Sequence, residues 1–498
     1  MTGLSGEVFD VLVIGGGITG CGVARDAAMR GLKVALVERD DFASGTSGRS
    51  SRLIHGGIRY LETGQFHLVH ESIRERQTLL RIAPHLVKPL AFTWPIYRGA
   101  RVGRLKLSAG LFLYDLMAVG RSRPHAYLSA AETIAREPSL STAGLTGGAV
   151  YYDAATDDTR LTLANALSAK RLGAVVVSHA RVTEILHAGG NAVGGMVTSR
   201  QSGTVEEVKA RAIVNATGVW ENGFSADERA RRPRGSKGVH ITVARDRIGN
   251  RDALTLISPV DGRVMFCLPA GAHTIIGTTD TWTEASPETV RASATDVDYL
   301  ISSANAYFSR AGLSRTDVVS AWAGIRPLAT GSASNPGLVS REHSIVTDGS
   351  GVINVTGGKL TTYRTMAAEV VDTVQRALGE KRGWAPTDRI ELPGADRASA
   401  IARLQKDDTQ LSKALVPGLA YTDAELVYGV SEEMAQTLSD LLIRRTHIAF
   451  ETRDHGMSIA PRAAEIVAPL LAWTEKMKSA QLRAYGQDID AMFTIAES

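Results

Sequence analysis

The chain has 498 residues, of which 44% are hydrophobic and 22% charged, and its formal net charge is +4. A chain of this length and apolar content can bury large cores and is expected to form more than one domain. The charge is too small to indicate nucleic acid as a partner, and the two cysteines, Cys21 and Cys267, match neither a disulfide framework nor a metal motif. We therefore expect no nucleic-acid partner, no metal site and a reducing cytoplasm.

Membrane-spanning and export segments are not predicted. No apolar run is long enough to cross a bilayer, and the first strand begins too early for a signal peptide to precede it. The sequence is thus typical of a cytoplasmic protein, which still leaves room for association with the surface of a membrane.

Residues 10–38, DVLVIGGGITGCGVARDAAMRGLKVALVE, predict a dinucleotide-binding βαβ unit. After an apolar strand, Gly15, Gly17 and Gly20 stand in G-x-G-x-x-G spacing, and Glu38 ends the second strand. In this motif the first glycine permits a tight turn, the second lets the backbone approach a pyrophosphate, and the third lets helix and strand pack closely. The acidic residue accepts hydrogen bonds from a ribose diol.

Further helices and strands are predicted from the spacing of apolar residues and from capping and turn residues. Ser129 and Glu132 form a capping-box pattern at the start of a helix. Strands are predicted across residues 174–215 and 238–280. Helical spacing is found at residues 66–83, 158–172 and 361–378 and through most of the chain beyond residue 398.

The domain organisation predicted from these elements is an α/β fold with a helical C-terminal domain. Residues 1–380 interleave a cofactor-binding domain with a substrate (cap) domain, and the cap lies mainly at about 84–150 and 225–325. The charged, Pro- and Gly-containing residues 381–397 are interpreted as a linker, and residues 398–498 as the C-terminal domain.

Several motifs in the same order give a specific family resemblance. They are IGGGITGCGVARDAAMRGL, SSRLIHGGIRYLE, DDTRLTLANA, NATGVW, KGVHITV, IIGTTD, GIRPL and GGKLTTYR, with a weaker match at LLIRRTH. Through them the chain resembles the FAD-dependent, quinone-linked (aerobic) glycerol-3-phosphate dehydrogenases of the D-amino-acid-oxidase-like flavoprotein superfamily. The resemblance implies a Rossmann-type FAD-binding domain interleaved with an antiparallel β-sheet substrate domain, and non-covalently bound FAD.

The resemblance also implies an activity. The family oxidises sn-glycerol 3-phosphate to dihydroxyacetone phosphate by hydride transfer from C2 to the flavin, and passes the electrons to a membrane quinone from the cytoplasmic face of the membrane. Such chemistry needs a base for the hydroxyl proton, a fixed cation near the substrate oxygen, and Arg or Lys for the phosphate.

Residues of this chain take these roles where they match the family motifs. His240 is expected to be the general base and Arg326 the cation at the substrate oxygen. Arg59, Tyr60, Arg341 and Lys359 are expected around the substrate phosphate and flavin. The residues expected to bind the cofactor are Gly15, Gly17, Gly20, Glu38, Ser47, Ser50, Ser51, Gly218, Gly357, Gly358, Lys359 and Leu360.

Alternatives remain open at this point. A glycerol-3-phosphate oxidase would share the fold and substrate site but use oxygen, and a flavin-binding module for RNA modification or complex assembly is a third hypothesis. Residues 98–123 mix basic and apolar side chains, which fits either membrane docking or a helix packed on its own domain. A homodimer is compatible with the sequence.

Overall fold

The first β-sheet forms around a strand that is apolar on both faces. The computed structural model describes residues 3–118, 123–220, 224, 235–327, 342–381 and 383–497. In the central strand, Val11 and Val13 face one buried cluster, while Leu12 and Ile14 face another. A strand covered on both faces becomes a continuous apolar run. The strands of this sheet are β1 (Val8–Ile14), β2 (Val34–Val37), β7 (Val175–Val177), β8 (Ala180–Ala188), β9 (Asn191–Ser199), β10 (Val205–Asn215), β17 (His343–Thr347) and β18 (Val352–Gly357).

Parallel pairing brings three loops to one edge of this sheet. The order is β17-β18-β10-β1-β2-β7, in which β18, β10, β1, β2 and β7 are parallel neighbours. The carboxyl ends of β1, β10 and β18 therefore lie side by side, although they are far apart in sequence. The helices packed on one face of the sheet are α1 (Ile18–Met29), α5 (Asp158–Arg171) and α8 (Tyr363–Ala377).

The second sheet is mainly antiparallel, and successive side chains along its strands point alternately to a buried core and to an open face. Its strands are β3 (Leu53–Ile54), β4 (Val87–Tyr97), β5 (Ala126–Ser129), β6 (Leu145–Thr156), β11 (Gly235–Ala244), β12 (Ala253–Ile257), β13 (Val264–Ala270), β14 (His273–Gly277), β15 (Thr281–Thr283) and β16 (Val318–Pro327). Val239, Ile241 and Val243 of β11 pack in a core with α7 (Ala294–Asn305). Because side chains alternate along a strand, His240 lies on the opposite face.

The remaining helices surround the two sheets. Those of the first 400 residues are α2 (Phe66–Ile82), α3 (Arg104–Met117), α4 (Ala130–Arg136), α6 (Arg245–Ile248) and the start of α9 (Arg397–Asp407). The C-terminal region continues with α10 (Asp423–Ser431), a π-helical segment (Asp440–Arg445), α11 (Ile448–Glu451), α12 (Ala460–Val467) and α13 (Glu475–Phe493). None of the helices within the described ranges combines the length and the apolar character that crossing a membrane requires.

Buried ion pairs join the C-terminal region to the first sheet. Arg445 contacts Asp41, which follows β2, at 2.7 Å, and neither side chain is exposed. Arg444 contacts Asp41 at the same distance, and Arg160 of α5 pairs with Glu433. The C-terminal helices are thus fixed to the part of the chain that follows the βαβ unit.

The architecture confirms the predicted fold class, with an α/β cofactor sheet, an antiparallel second sheet interleaved with it in sequence, and a helical C-terminal region. The capping box at Ser129 and Glu132 is present, and α2 and α5 begin as predicted. The third predicted helix starts at Tyr363, because Leu360–Thr362 form a separate 3-10 turn before it.

Candidate functional site

The glycine turn after β1 is a cradle that side chains would fill. Gly15 has φ +108°, and a Cβ there would lie 2.6 Å from the carbonyl oxygen of Ala216. A Cβ on Gly20 would collide with the carbonyl oxygen of Gly15, and Gly17 is the N-cap of α1. The turn therefore requires glycine at two of the predicted positions, and it presents the positive end of α1 to the neighbouring cavity.

Glu38 lies beside this turn at the end of β2. Its carboxylate accepts hydrogen bonds from the N–H of Gly16 at 2.5 Å and of Asp40 at 2.8 Å. Burial raises the pKa of Glu38 to about 7, an effect that the hydrogen bond from Gly16 opposes. Gly16, which the sequence interpretation omitted, is also required, because a Cβ on it would lie 2.8 Å from Cβ of Glu38. The middle glycine of IGGG was the available signal.

The three predicted serines lie in one loop but have different partners. The Oγ of Ser47 accepts the N–H of Ile18 at 2.9 Å, at the start of α1. The Oγ of Ser50 donates to Asp158 at 2.6 Å. Ser51 Oγ lies 2.8 Å from Nε2 of His240. Ser51 thus connects the loop to the second sheet.

The turn after β18 forms the other side of the cavity. Gly357 and Gly358 have φ of +76° and +85°. A Cβ on Gly357 would lie 2.6 Å from the carbonyl oxygen of Glu342, and a Cβ on Gly358 would lie 2.7 Å from Sδ of Met366. Lys359 follows, with its Nζ 3.8 Å from the centre of the Tyr60 ring.

Arg59 joins the same cluster. Its guanidinium lies 4.7 Å from the centre of the Tyr60 ring and donates to the Tyr60 hydroxyl at 3.0 Å. Two cations, Arg59 and Lys359, therefore share one aromatic ring. Arg341, predicted to bind the substrate phosphate, lies outside the described residues.

Arg326 and His240 project from the same face of the second sheet. In the β11–β16 pair, Ser236 is opposite Arg326 and His240 is opposite Trp322, so all four side chains lie on one face. Gly238, between the two β11 positions, leaves room for the Arg326 guanidinium: a Cβ there would lie 2.5 Å from its Cζ.

Arg326 is fixed by hydrogen bonds to the turn after β14. It donates to the Oγ1 of Thr278 at 2.8 Å, to the carbonyl oxygen of Thr279 at 3.3 Å and to the carboxylate of Asp280 at 3.2 Å. These partners were not predicted, although they lie in the quoted motif IIGTTD. They orient a cation whose side chain is largely buried.

His240 is buried on its face of the second sheet and stays neutral. Its ring stacks on Trp322 with centroids 5.4 Å apart and an interplanar angle of 15°. Its Nδ1 is buried and has no hydrogen-bond partner among the described residues. Burial, followed by the positive charges of Arg326 and Arg52, lowers the pKa of His240 to about 3. The imidazole is therefore a neutral proton acceptor at physiological pH.

One cavity of about 930 Å³ connects these groups. Of the predicted site residues that the structure describes, all except Gly20 line it; Gly20 instead packs against Gly15. Residues that the sequence interpretation missed also line it, namely Arg49, Trp220, Gly238, Phe266, Thr278, Asp280 and Gly324. Two of these are glycines within strands, a pattern that often marks close approach of another group.

These residues fit FAD. The cavity runs from a glycine cradle at a helix N-terminus, with an acid beside it, to the face that carries Arg326 and His240. An extended dinucleotide needs such elements for its pyrophosphate and ribose, and space for its ring system beyond them. His55 also lines the cavity, and burial lowers its pKa to about 4.

Comparison with known proteins agrees with this reading of the site. Residues 10–364 match the model of the family described as FAD dependent oxidoreductase, and residues 392–478 match that described as the C-terminal domain of alpha-glycerophosphate oxidase. The chain is 38% identical over 508 residues to glycerol-3-phosphate dehydrogenase 2 of Mycobacterium tuberculosis, covering 95% of this chain and 86% of the relative. It is 32% identical to the aerobic glycerol-3-phosphate dehydrogenase of Bacillus subtilis, covering 96% and 94%.

A solved structure extends the match to three dimensions. The glycerol-3-phosphate dehydrogenase from Bacillus halodurans, complexed with FAD, superposes with a TM-score of 0.77 at 30% identity, covering 98% of this chain and 96% of that one. The glycine cradle and these matches over nearly the whole chain lead to one assignment. The chain belongs to the FAD-dependent oxidoreductases and, among them, to the glycerol-3-phosphate dehydrogenases.

Proposed function

We propose that the protein oxidises sn-glycerol 3-phosphate at C2 to dihydroxyacetone phosphate. The observation that carries the proposal is the placement of Arg326 and His240 on one sheet face that opens into the FAD cavity. The names of the relatives support the substrate, since they are glycerol-3-phosphate dehydrogenases. When bound, FAD supplies the hydride acceptor.

The chain's own residues hold the cofactor. Gly15 and Gly17 present backbone and the start of α1 to the pyrophosphate, and Glu38 accepts hydrogen bonds from the adenosine ribose. Ser47, Gly218 and the turn from Gly357 to Leu360 complete the contacts along the cavity. Non-covalent binding of FAD is proposed, as the family resemblance implies.

His240 accepts the proton of the C2 hydroxyl. Its low pKa leaves the imidazole unprotonated, and the hydrogen bond with Ser51 fixes the orientation of the ring. Arg326 places positive charge where the hydroxyl oxygen becomes more negative. Together the two residues bind the oxygen and remove its proton.

The substrate phosphate is bound by a second group of cations that line the same cavity. Arg59 and Lys359 lie together at the Tyr60 ring, and a phosphate there would be bound by both. Arg341 is proposed as a third phosphate ligand on the basis of its motif. Glycerol lacks the phosphate that these cations would bind, so the site should favour glycerol 3-phosphate over glycerol.

Substitution tests these roles one at a time. Arg326→Ala should abolish reduction of the flavin by glycerol 3-phosphate while the purified protein retains FAD, and His240→Ala should slow it strongly. Arg59→Ala should mainly raise the substrate concentration needed for half-maximal reduction. The matched control is Arg315→Ala, because Arg315 forms a solvent-exposed pair with Asp298. Normal reduction by the Arg326 variant would contradict the proposed site.

The proposed electron acceptor is a membrane quinone, and α3 supports it. The buried side of this helix carries Leu107 and Leu111, which pack in the core. Its outer side carries Leu105, Phe112 and Leu116, which are 88%, 66% and 56% exposed. The inner side of α3 packs on its own domain, and membrane docking is proposed for its outer side.

Basic residues lie at the N-terminal end of α3. Arg104 and Lys106 are exposed, and Arg101 and Lys106 pair with Glu62. Exposed apolar side chains with cations beside them fit an anionic membrane surface. We propose that the protein binds the cytoplasmic face of the membrane through this surface.

Vesicle binding tests the surface separately from catalysis. Leu105→Ser with Phe112→Ser should abolish co-sedimentation with phosphatidylglycerol-containing vesicles, while flavin reduction by glycerol 3-phosphate stays unchanged. Val205→Ser is the matched control, because Val205 is also exposed but belongs to strand β10 rather than to α3. Unchanged sedimentation of the double variant would refute the docking surface. Rapid reoxidation of the reduced enzyme by oxygen, with release of peroxide, would instead favour an oxidase.

A further inference from the structure

Phe450, on the short helix α11 of the C-terminal region, lies directly behind the proposed catalytic histidine. It is 3% exposed, and its ring contacts Trp322 edge-to-face with centroids 5.0 Å apart. The guanidinium of Arg52 lies 4.9 Å from the centre of the same ring. Phe450 therefore contacts both Trp322, which stacks on His240, and Arg52, which follows the serine that contacts His240.

The first support passes through Trp322. This side chain is 1% exposed, stacks on His240 and also contacts Phe450 edge-to-face. The backbone of Phe450 is fixed as well, because its carbonyl oxygen accepts hydrogen bonds from Ser320 Oγ at 3.0 Å and from Thr242 Oγ1 at 3.3 Å. These hydroxyls belong to β16 and β11, the strands that carry Trp322 and His240.

The second support passes through Arg52. Its guanidinium donates to Nδ1 of His447 at 3.4 Å and lies 4.0 Å from Asp158. His447 is itself held by Asp157, 2.7 Å from its Nε2. Arg52 has φ +54°, a conformation that a non-glycine residue adopts only when its surroundings hold it there. The preceding residue is Ser51, whose hydroxyl meets His240 Nε2.

We propose that the C-terminal region positions the proton-accepting histidine, with Phe450 and His447 as positioning residues that act through Trp322 and Arg52. The ring plane of His240 is set by the stack with Trp322, and the direction of its Nε2 is set by Ser51. Residues 447–450 support both contacts, because Phe450 contacts Trp322 and Arg52, and His447 contacts Arg52. This inference rests on the proposed role of His240 and assigns the C-terminal region a part in the reaction.

A general packing role would predict a different energetic pattern from a positioning role. Loss of packing alone lowers stability and slows the reaction, if at all, independently of His240. Loss of positioning slows proton transfer only while His240 is present to be positioned. A double-mutant cycle between Phe450 and His240 separates the two cases.

The experiment measures the limiting rate of flavin reduction at saturating glycerol 3-phosphate in FAD-loaded enzyme. Phe450→Leu should lower this rate roughly tenfold, less than the ~10²-fold expected for a misplacement of 1 Å, with little change in half-saturating substrate. In a His240→Ala background, Phe450→Leu should have no further effect. The matched control is Phe308→Leu, because Phe308 is 1% exposed in the core on the other face of the same sheet.

A second variant keeps the test valid if Phe450→Leu does not fold. Arg52→Gln removes the cation held by His447 and Phe450, and it should give the same non-additivity with His240→Ala. Independent, multiplicative effects in both cycles would overturn the inference and leave the proposed function intact. An unchanged rate in His240→Ala alone would instead remove the proton-accepting role on which the inference rests.

Discussion

Replacement of Gly238 by Ala tests whether Arg326 must occupy its observed position. Gly238 has no φ in the left-handed region, and it lies within β11, so alanine can adopt its backbone conformation. The added methyl group would project onto the face that carries Arg326 and His240. It would meet the guanidinium and no backbone atom among its nearest neighbours. The substitution therefore displaces one catalytic group while the fold is retained.

The size of the effect follows from the contact distances. The new Cβ would lie 2.5 Å from both Cζ and Nη1 of Arg326, whereas unstrained contacts begin at about 3.5 Å. The guanidinium must move by about 1 Å, which would disturb its hydrogen bonds to Thr278 and Asp280. A misplacement of about 1 Å in a catalytic group costs ~10²-fold in rate, or about 2.7 kcal/mol of transition-state stabilisation.

The assay is kcat/KM for glycerol 3-phosphate with a soluble dye as acceptor, together with FAD content and thermal midpoint. We expect kcat/KM to fall about 100-fold while FAD content and midpoint change little. Gly349→Ala is the matched control, since a Cβ there meets nothing within 4 Å. Full activity in Gly238→Ala would refute the role given to the position of Arg326.

Three further outcomes are expected. Burial raises the pKa of Glu38 to about 7, so the carboxylate form increases as pH rises through that value. FAD-free protein should therefore bind FAD more tightly at about pH 8 than at about pH 6. Glu38→Gln should flatten this pH dependence in a flavin-fluorescence titration, and a dependence that persists in the variant would contradict the role of Glu38. Asp41→Ala should destabilise the protein by about 3–5 kcal/mol, because it leaves the buried charge of Arg445 uncompensated; an unchanged urea midpoint would count against this. Gly20→Ala should yield folded but colourless protein, because its Cβ collides with Gly15 O, and a normal flavin spectrum would contradict the cradle.

The cofactor half of the site could be predicted from sequence because its determinants are local. The turn from Gly15 to Gly20 and the acid at Glu38 fall within one βαβ unit, where strand, glycine and helix signals have fixed spacing. The C-terminal helices were also visible as helical patterns. Arg326 and His240, by contrast, came from family motifs, since an arginine or a histidine in a strand has no periodic signal of its own.

The contacts that connect the elements could not be predicted. Phe450 and Thr242 are 208 positions apart, and nothing in either segment indicates that they share a hydrogen bond. The same is true of Ser51, which was assigned to the cofactor and is found hydrogen-bonded to His240. Strand glycines such as Gly238 were a usable signal, but the group that approaches them depends on sheet register.

Anaerobic mixing of the FAD-loaded enzyme with glycerol 3-phosphate tests the central claim most directly. The absorbance of the oxidised flavin should bleach rapidly with glycerol 3-phosphate and stay unchanged with glycerol, which lacks the phosphate that Arg59 and Lys359 are proposed to bind. Oxidised flavin that persists with glycerol 3-phosphate in fully loaded protein would contradict the proposed substrate. Equal bleaching by glycerol would contradict the proposed phosphate site.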